Sequence, residues 1–269
     1  MRNTRKSIFK IVFFVGVSSL TVSFLPSFQK QLFLSDINSN ACKHDSLYYP
    51  KIDSGEYIIH HQYYDLVYDE QHEQAKWIFY KLYPGYLNGP YKRKNDFRVD
   101  PKVISNSANH NDYRGSGYDR GHLMPAADMT WSEVALSESF YYSNMSPQHP
   151  SFNRGVWKRL ESKVRSWCAE SDSLFVTTGP VFNTIFGVIG PNKVAVPGAY
   201  FKVIIRFKQN IKEGIAFLLP NMSSKNLLET FVYSIDSLEQ VVGIDFFHHQ
   251  NEEFQRNIES SMDIAMWDW

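Results

Sequence analysis

The sequence predicts an α+β fold built as a single domain of roughly 220 residues. Runs rich in β-branched and aromatic residues are interrupted by helical segments without regular alternation, which favours α+β over a doubly wound parallel sheet. Of the 269 residues, 43% are hydrophobic and 16% are aromatic, enough for one sizeable core. The 28 basic and 28 acidic residues balance, so the chain is not a strongly positive nucleic-acid coat, and any phosphate-binding surface must be local.

The N-terminus has the charge pattern of a targeting signal. Basic residues within positions 2–10 precede an uncharged, apolar run over residues 11–25, which Pro26 ends. A charged head and an apolar body are typical of a signal sequence, and residues 8–25 come near the lower limit for a membrane span. A buried core helix would show a polar face, and this run has none.

We therefore expect residues 1–28 to be a signal sequence or membrane anchor, with anchorage through residues 8–25, and residues 29–54 to be a polar tether. The flanking charges would leave the N-terminus inside and the rest outside. The expected location is exported: periplasmic, extracellular or anchored to the outer face of the cytoplasmic membrane. Export would permit a disulfide between Cys42 and Cys168, although their separation in the sequence leaves the pairing open.

The first strands are expected after the tether. Residues 56–69 and 75–83 are two β-rich runs around a short polar loop, which predicts a hairpin. Later runs that are β-branched or aromatic and bounded by Gly, Pro or Asn lie at 174–178, 200–207 and 215–219. Helices are predicted between and after these runs, at 132–140, 152–167, 226–231 and 237–242.

Residues with catalytic potential are concentrated between Tyr113 and Glu161. Asp119, Arg120 and His122 lie within four positions, and on a strand Arg120 and His122 would share one face, with Asp119 on the other. An imidazole can take a proton from water near neutral pH. A neighbouring arginine can hold phosphate oxygens by charge-assisted hydrogen bonds. This arrangement suits phosphodiester hydrolysis, although a histidine beside an arginine can also be purely structural.

A second polar cluster follows. Pro147 and Pro150 belong outside a helix interior and Ser151 could cap one, so Asn153 is predicted in the first turn of a helix. Its amide oxygen is a hard, neutral ligand of the kind that magnesium accepts. Glu161 lies at i+8 on the same side but roughly 12 Å farther along the axis, so it would act through the water around an ion. The alternatives are an ordinary helix-start asparagine and an ordinary surface glutamate.

Three ordered motifs make this sequence similar to a known family. They are GYDRGHLMPAADM at 117–129, SNMSPQ at 143–148 and FNRGVWKRLE at 152–161. Together they closely resemble the DNA/RNA non-specific endonuclease family, the ββα-metal or His-Me finger nucleases, which include endonuclease G. The resemblance implies a central antiparallel sheet flanked by helices within residues 55–269, and one divalent ion. It also implies cleavage that leaves 5′-phosphate and 3′-hydroxyl ends.

The same resemblance implies a role for each matching residue. His122 matches the general base, Arg120 a phosphate-contacting arginine, and Asn153 the lone direct protein ligand of the metal. Glu161 matches a glutamate that reaches the metal through water. No departure from the family pattern is found at these positions, so an active enzyme is expected.

Further positions are carried over from the family on weaker spacing. Asn144 and Gln148 match polar residues near the site. Family members also use an arginine just before a segment like residues 96–101, and Arg93 is our choice for it. Arg98 is the competitor, because the spacing in this region is loose.

The expected activity is metal-dependent hydrolysis of DNA and RNA without sequence specificity, with His122 as general base and an Asn153-bound Mg²⁺ as Lewis acid. Mn²⁺ is a possible substitute. Phosphate contacts carry no base information, so base sequence and sugar should matter little. The sequence is compatible with a homodimer and identifies no inhibitor protein. Three alternatives remain open: an inactive nucleic-acid-binding surface protein, a structural or adhesive exported domain, and a phosphoesterase for small diesters.

Overall fold

A seven-stranded sheet forms the framework of the structure. The structure is a computed structural model and describes residues 46–260 and 262–269. The strands are β1 (Ile58–His60), β2 (Tyr64–Asp69), β3 (Gln74–Leu82), β4 (Asp119–His122), β5 (Met145–Gln148), β6 (Ser173–Ile189), β7 (Val194–Lys208), β8 (Ile211–Pro220) and β9 (Val232–Tyr233). The main sheet has the order β1-β2-β3-β6-β7-β8-β9, and β4 and β5 form a separate pair. All of these neighbouring strands are antiparallel.

The strand predictions are confirmed, with longer strands than expected. The predicted hairpin is the pairing of β2 with β3, and the first predicted run is divided into β1 and β2. The later runs are parts of β6, β7 and β8. Residues 183–188 at the far end of β6 are exposed. An exposed stretch needs no pattern of apolar residues, so the sequence does not reveal this part of the strand.

The helices are α1 (His110–Tyr113), α2 (Glu133–Glu138), α3 (Lys158–Ala169), α4 (Ile235–Val242) and α5 (Glu252–Glu259). The helices predicted at 132–140, 152–167 and 237–242 are confirmed. The helix predicted at 226–231 is wrong, because only a 3₁₀ turn forms there (Leu228–Phe231) and the chain then pairs with β8 as β9. Helix α5 was not predicted, since few of its residues are buried.

Helices cover both faces of the main sheet, as predicted for a central antiparallel sheet flanked by helices. Because successive strand residues point to opposite faces, neighbours in β3 enter different cores. Ile78 packs with Trp157 and Trp167 from the side of α3. Trp77 packs in the second core, which holds Leu238 of α4.

The packed chain begins before the start predicted at residue 55. Tyr48 and Tyr49 are buried in the second core, and the Lys51 amide donates to Asp245 O at 2.8 Å. Residues 29–45 of the predicted tether, which include Cys42, and the signal or anchor at 1–28 lie outside the described residues. Cys168 is buried in α3 as a free cysteine.

The pair β4–β5 is fixed to the main sheet by buried polar side chains. Ser146 Oγ lies 2.7 Å from the Tyr200 hydroxyl in β7 and also contacts Gln74 in β3. The Tyr200 hydroxyl donates to Pro147 O at 2.9 Å. Such contacts are costly to break in a dry interior, so β5 holds β4 in a defined place above the sheet.

Gly121 in β4 leaves no room for a side chain. An added Cβ would lie 2.1 Å from Gln148 Cδ, and Gln148 is fully buried. We expect Gly121→Ala to lower the free energy of unfolding by about 1–3 kcal/mol in urea denaturation, because the core must shift. Gly85→Ala is the matched control, since nothing lies within 4 Å of its Cβ position. Equal stability of the two variants would contradict this prediction.

Candidate active site

The candidate site is an open cleft beside β4, with a volume of about 470 Å³. In the antiparallel register, Arg120 is paired with Pro147, and His122 with Met145. Three residues predicted from the sequence line the cleft: Arg93, Arg120 and Asn153. The other lining residues are Asn95, Phe97, Asp119 and Arg154.

Asp119 joins β4 to the segment that follows β5. Its Oδ2 accepts hydrogen bonds from Asn153 Nδ2 at 2.9 Å and from Arg154 Nε at 2.8 Å, and its Oδ1 accepts from Arg154 Nη2 at 2.6 Å. Burial opposes ionisation of Asp119, but the hydrogen bonds from Arg154 and Asn153 outweigh it and lower the pKa of the carboxyl. Asp119 therefore holds Asn153 as a carboxylate, a role that the sequence analysis missed.

Asn153 lies on a π-helical segment rather than in a regular first turn. This segment, Phe152–Trp157, precedes α3 and has a non-helical kink at Gly155. The predicted Ser151 cap is wrong: its hydroxyl makes no capping hydrogen bond and lies 2.7 Å from His149 Nδ1 instead. Single π-type turns are frequently found at functional sites, and Asn153 lines the cleft from this segment.

His122 is a buried, neutral imidazole beside the cleft. It is 8% exposed, and the Phe140 ring packs edge-on against it with centroids 5.1 Å apart. Burial, and then the charges of Arg93 and Arg120, lower the pKa of His122 to about 3. Its Nε2 has no hydrogen-bond partner among the described residues, so the ring keeps a free polar atom.

Arg93 and Arg120 are both held against aromatic rings. The Arg120 guanidinium carbon lies 4.0 Å from the Phe97 ring centroid, and that of Arg93 lies 5.2 Å from the Phe140 centroid. Cation–π contacts of this kind restrict a guanidinium while leaving its N–H donors available. Arg93 Nε donates to Asn95 Oδ1 at 2.5 Å, so the Nη groups of Arg93 and the Arg120 guanidinium line the cleft as hydrogen-bond donors for an anion.

The structure places the two upstream arginines, Arg93 and Arg98, in different clefts. Arg98 donates to Ser137 O and Asp96 Oδ2 at 2.9 Å each, and its guanidinium stacks over Tyr141. It lines a different cleft. Arg93 is thus the upstream arginine that lies with Arg120.

Asn144 does not reach the cleft. It is fully buried, its Oδ1 accepts from the Met124 amide at 2.8 Å, and its Nδ2 donates to Met124 O and Ser139 O. Its carboxamide is thus occupied by backbone groups and holds the loop after His122. Gln148 is also buried, and its side-chain polar atoms make no hydrogen bond within the described part of the chain.

Glu161 belongs to a buried charge cluster behind the cleft. Burial raises the pKa of Glu161 to about 7 against the opposing charge of Lys202. Lys202 is fully buried in β7, with its Nζ 4.8 Å from the Trp157 ring centroid. Buried Asp128 accepts from Arg165 Nη1 at 2.8 Å. Buried Asp128 and Lys202 and half-buried Glu161 and Arg165 therefore balance one another behind the cleft, and nothing near Glu161 in the sequence reveals Lys202.

Comparison with known proteins gives consistent matches. Residues 46–253 match the family model described as DNA/RNA non-specific endonuclease. The chain is 37% identical to human "Endonuclease G, mitochondrial" over 198 residues, which are 68% of this chain and 67% of that protein. It is 30% identical to a nuclease of a Nostoc species over 225 residues, 79% of this chain and 81% of that protein.

A further relative and a solved structure agree with these matches. "Nuclease EXOG, mitochondrial" of Danio rerio is 35% identical over 199 residues, 68% of this chain and 58% of that protein. A chain from the crystal structure of the EndoG/EndoGI complex superimposes with a TM-score of 0.71 at 30% identity. That superposition covers 77% of this chain and 91% of the other.

The predicted export is wrong. The human, Danio rerio and yeast relatives are named as mitochondrial nucleases. Positive charges before an apolar run do not by themselves distinguish an export signal from other targeting signals. No helix in the described ranges is long and apolar enough to cross a bilayer.

The buried charge cluster predicts a measurable coupling. Lys202→Met leaves Glu161 and Asp128 with one counter-charge, so we expect the free energy of unfolding to fall by about 3–5 kcal/mol. Adding Glu161→Gln restores the balance and should recover part of that loss. Urea denaturation of both variants measures the coupling, with Lys225→Met, at an exposed lysine, as control. A double variant no more stable than Lys202→Met would refute it.

Proposed function

The chain belongs to the DNA/RNA non-specific endonuclease family, and we propose that it cleaves both polymers at the cleft beside β4 by a metal-dependent mechanism. The observation that carries this proposal is the convergence of four groups. Arg93, Arg120 and an Asn153 held by Asp119 line one cleft, and the neutral His122 lies next to it. Together they supply donors for a phosphate, an oxygen ligand for a cation and a base.

The ligand that we propose for the metal is Asn153. Its Nδ2 donates to Asp119, which leaves the amide oxygen, Oδ1, for a cation. Mg²⁺ usually keeps several waters and takes few protein oxygens, so one carboxamide suits it, and Mn²⁺ is a substitute. A bound ion would act as a Lewis acid on the phosphate and stabilise the departing 3′ oxygen.

His122 is proposed to take a proton from the attacking water. A neutral imidazole has a lone pair for this step at neutral pH. The pKa of about 3 in the free protein would make a weak base, but a bound phosphate would offset the charges of Arg93 and Arg120 that help to lower it. Substrate binding would therefore bring the proton affinity of His122 closer to the working pH.

The remaining site residues position the substrate. Arg93 and Arg120 would hold the non-bridging phosphate oxygens, and Glu161 would orient waters around the ion. Such contacts carry no base information, which accounts for cleavage without sequence specificity. The products would carry 5′-phosphate and 3′-hydroxyl ends. Asn144 would act only through the loop that it holds, and the homodimer stays a prediction.

Removal of the proposed base tests this assignment. His122→Ala should lose on the order of 10²- to 10⁴-fold in the rate of plasmid and RNA cleavage with Mg²⁺, because no other group takes the proton. His60→Ala, at a histidine whose side chain is 66% exposed, is the control and should keep full activity. A His122→Ala enzyme as fast as this control would rule out His122 as the base.

Removal of the proposed ligand tests the metal. EDTA should abolish cleavage by the unmodified protein, and Asn153→Ala should raise the Mg²⁺ concentration for half-maximal activity by at least about 10- to 100-fold. The matched control is Asn226→Ala, at an exposed position. Activity that persists in EDTA, or an unchanged Mg²⁺ dependence in Asn153→Ala, would contradict the proposal.

A further inference from the structure

Three carboxylates converge on the face of the main sheet opposite to α3. Asp236 and Glu239 lie in α4, and Glu259 is the last residue of α5. One carboxylate oxygen from each residue lies within 4.8 Å of the other two. Both helices pack in the second core, so the cluster is separate from the cleft beside β4.

Glu259 is the buried member of this cluster. It is 7% exposed, and its Oε1 is buried without a hydrogen-bond partner among the described residues. An ionised carboxylate in such a place is costly unless a charge or several donors accompany it. The unpartnered oxygen and the convergence of three carboxylates both point to a missing positive charge.

The described part of the chain supplies no such charge at this place. Within residues 46–260 and 262–269, no lysine or arginine forms an ion pair with Asp236, Glu239 or Glu259. The three groups repel one another unless a proton or a cation lies between them.

We propose that Asp236, Glu239 and Glu259 bind one calcium ion. Calcium takes carboxylate oxygens at about 2.3–2.6 Å in a flexible geometry, so oxygens on opposite sides of the ion lie up to about 5 Å apart, which accommodates this cluster. Magnesium requires shorter distances and near-octahedral geometry. The Phe246 amide donates to Glu239 Oε1 at 2.6 Å and orients that carboxylate.

The ion would join two elements that meet over β8. Ile235 precedes Asp236, and Ile258 precedes Glu259. Both isoleucines lie close to Gly214 in β8, since a Cβ added to Gly214 would lie 2.9 Å from Ile235 and 2.7 Å from Ile258. A cation shared by α4 and α5 would therefore stabilise the packing of both helices on the sheet. Its role would be structural, and the proposal does not depend on the activity of the cleft.

The test is calcium binding by the full chain carrying Asn153→Ala, which weakens any ion in the cleft. Calorimetric titration with CaCl₂ should show one site, and saturating calcium should raise the Tm by about 5–10 °C. Adding Glu259→Gln should weaken calcium binding at least tenfold and remove the Tm shift. Glu253→Gln, at an exposed position of the same helix, should change neither.

Asp236→Asn, at an exposed member of the cluster, serves as a second variant if Glu259→Gln fails to fold, and it should also weaken binding. Magnesium-dependent cleavage by the protein with Asn153 intact should be unchanged by Glu259→Gln. Absence of calcium binding at millimolar concentration, full binding by both cluster variants, or an equal Tm shift with MgCl₂ would each overturn the proposal.

Discussion

The site depends on one carboxylate that joins two separate segments of the chain. Asp119 at the start of β4 accepts three hydrogen bonds from Asn153 and Arg154, and it remains ionised because these donors outweigh the cost of burial. This contact sets the distance between the strand that carries Arg120 and His122 and the segment that carries Asn153. Without it, the hydrogen bonds between β4 and β5 would position the strand but not the asparagine.

Burial determines the protonation state of His122. His122 is neutral because a charged ring would lose its hydration and face two arginines, whereas those arginines keep their donors available by stacking on aromatic rings. A chain with no net charge thus concentrates positive charge at one cleft. A phosphate polymer would be attracted by this local surface, and not by the protein as a whole.

Acidic side chains are paired with cationic side chains on one face of the main sheet but not on the other. Behind the cleft, Glu161 and Asp128 are balanced by Lys202 and Arg165, so the core there carries no excess charge. On the other face, Asp236, Glu239 and Glu259 lie close together without a protein cation among the described residues. That imbalance is the physical basis for inferring a bound ion at the cluster of Asp236, Glu239 and Glu259.

The sequence by itself determined the fold class, most of the regular elements and three of the residues that line the cleft, which are Arg93, Arg120 and Asn153. These follow from local patterns: runs rich in β-branched and aromatic residues at β2 and β3, proline before the helix start, and the short motifs around His122 and Asn153. The same local patterns misjudged residues 226–231, where pairing with β8 overrides helix preference, and did not foresee the π-helical geometry at the start of the helix predicted at 152–167. Charge and apolar composition at the N-terminus could not separate one targeting signal from another.

Only the tertiary structure decided which residues meet across long stretches of chain. It brought Arg93 rather than Arg98 beside Arg120, enclosed Asn144 among backbone groups, and placed Lys202 against Trp157 near Glu161. These contacts join segments that are far apart in the sequence, so the periodicity of the sequence does not predict them. They arise when strands pair and helices pack, because only then does the low dielectric of the core make one arrangement of charges much more stable than the others.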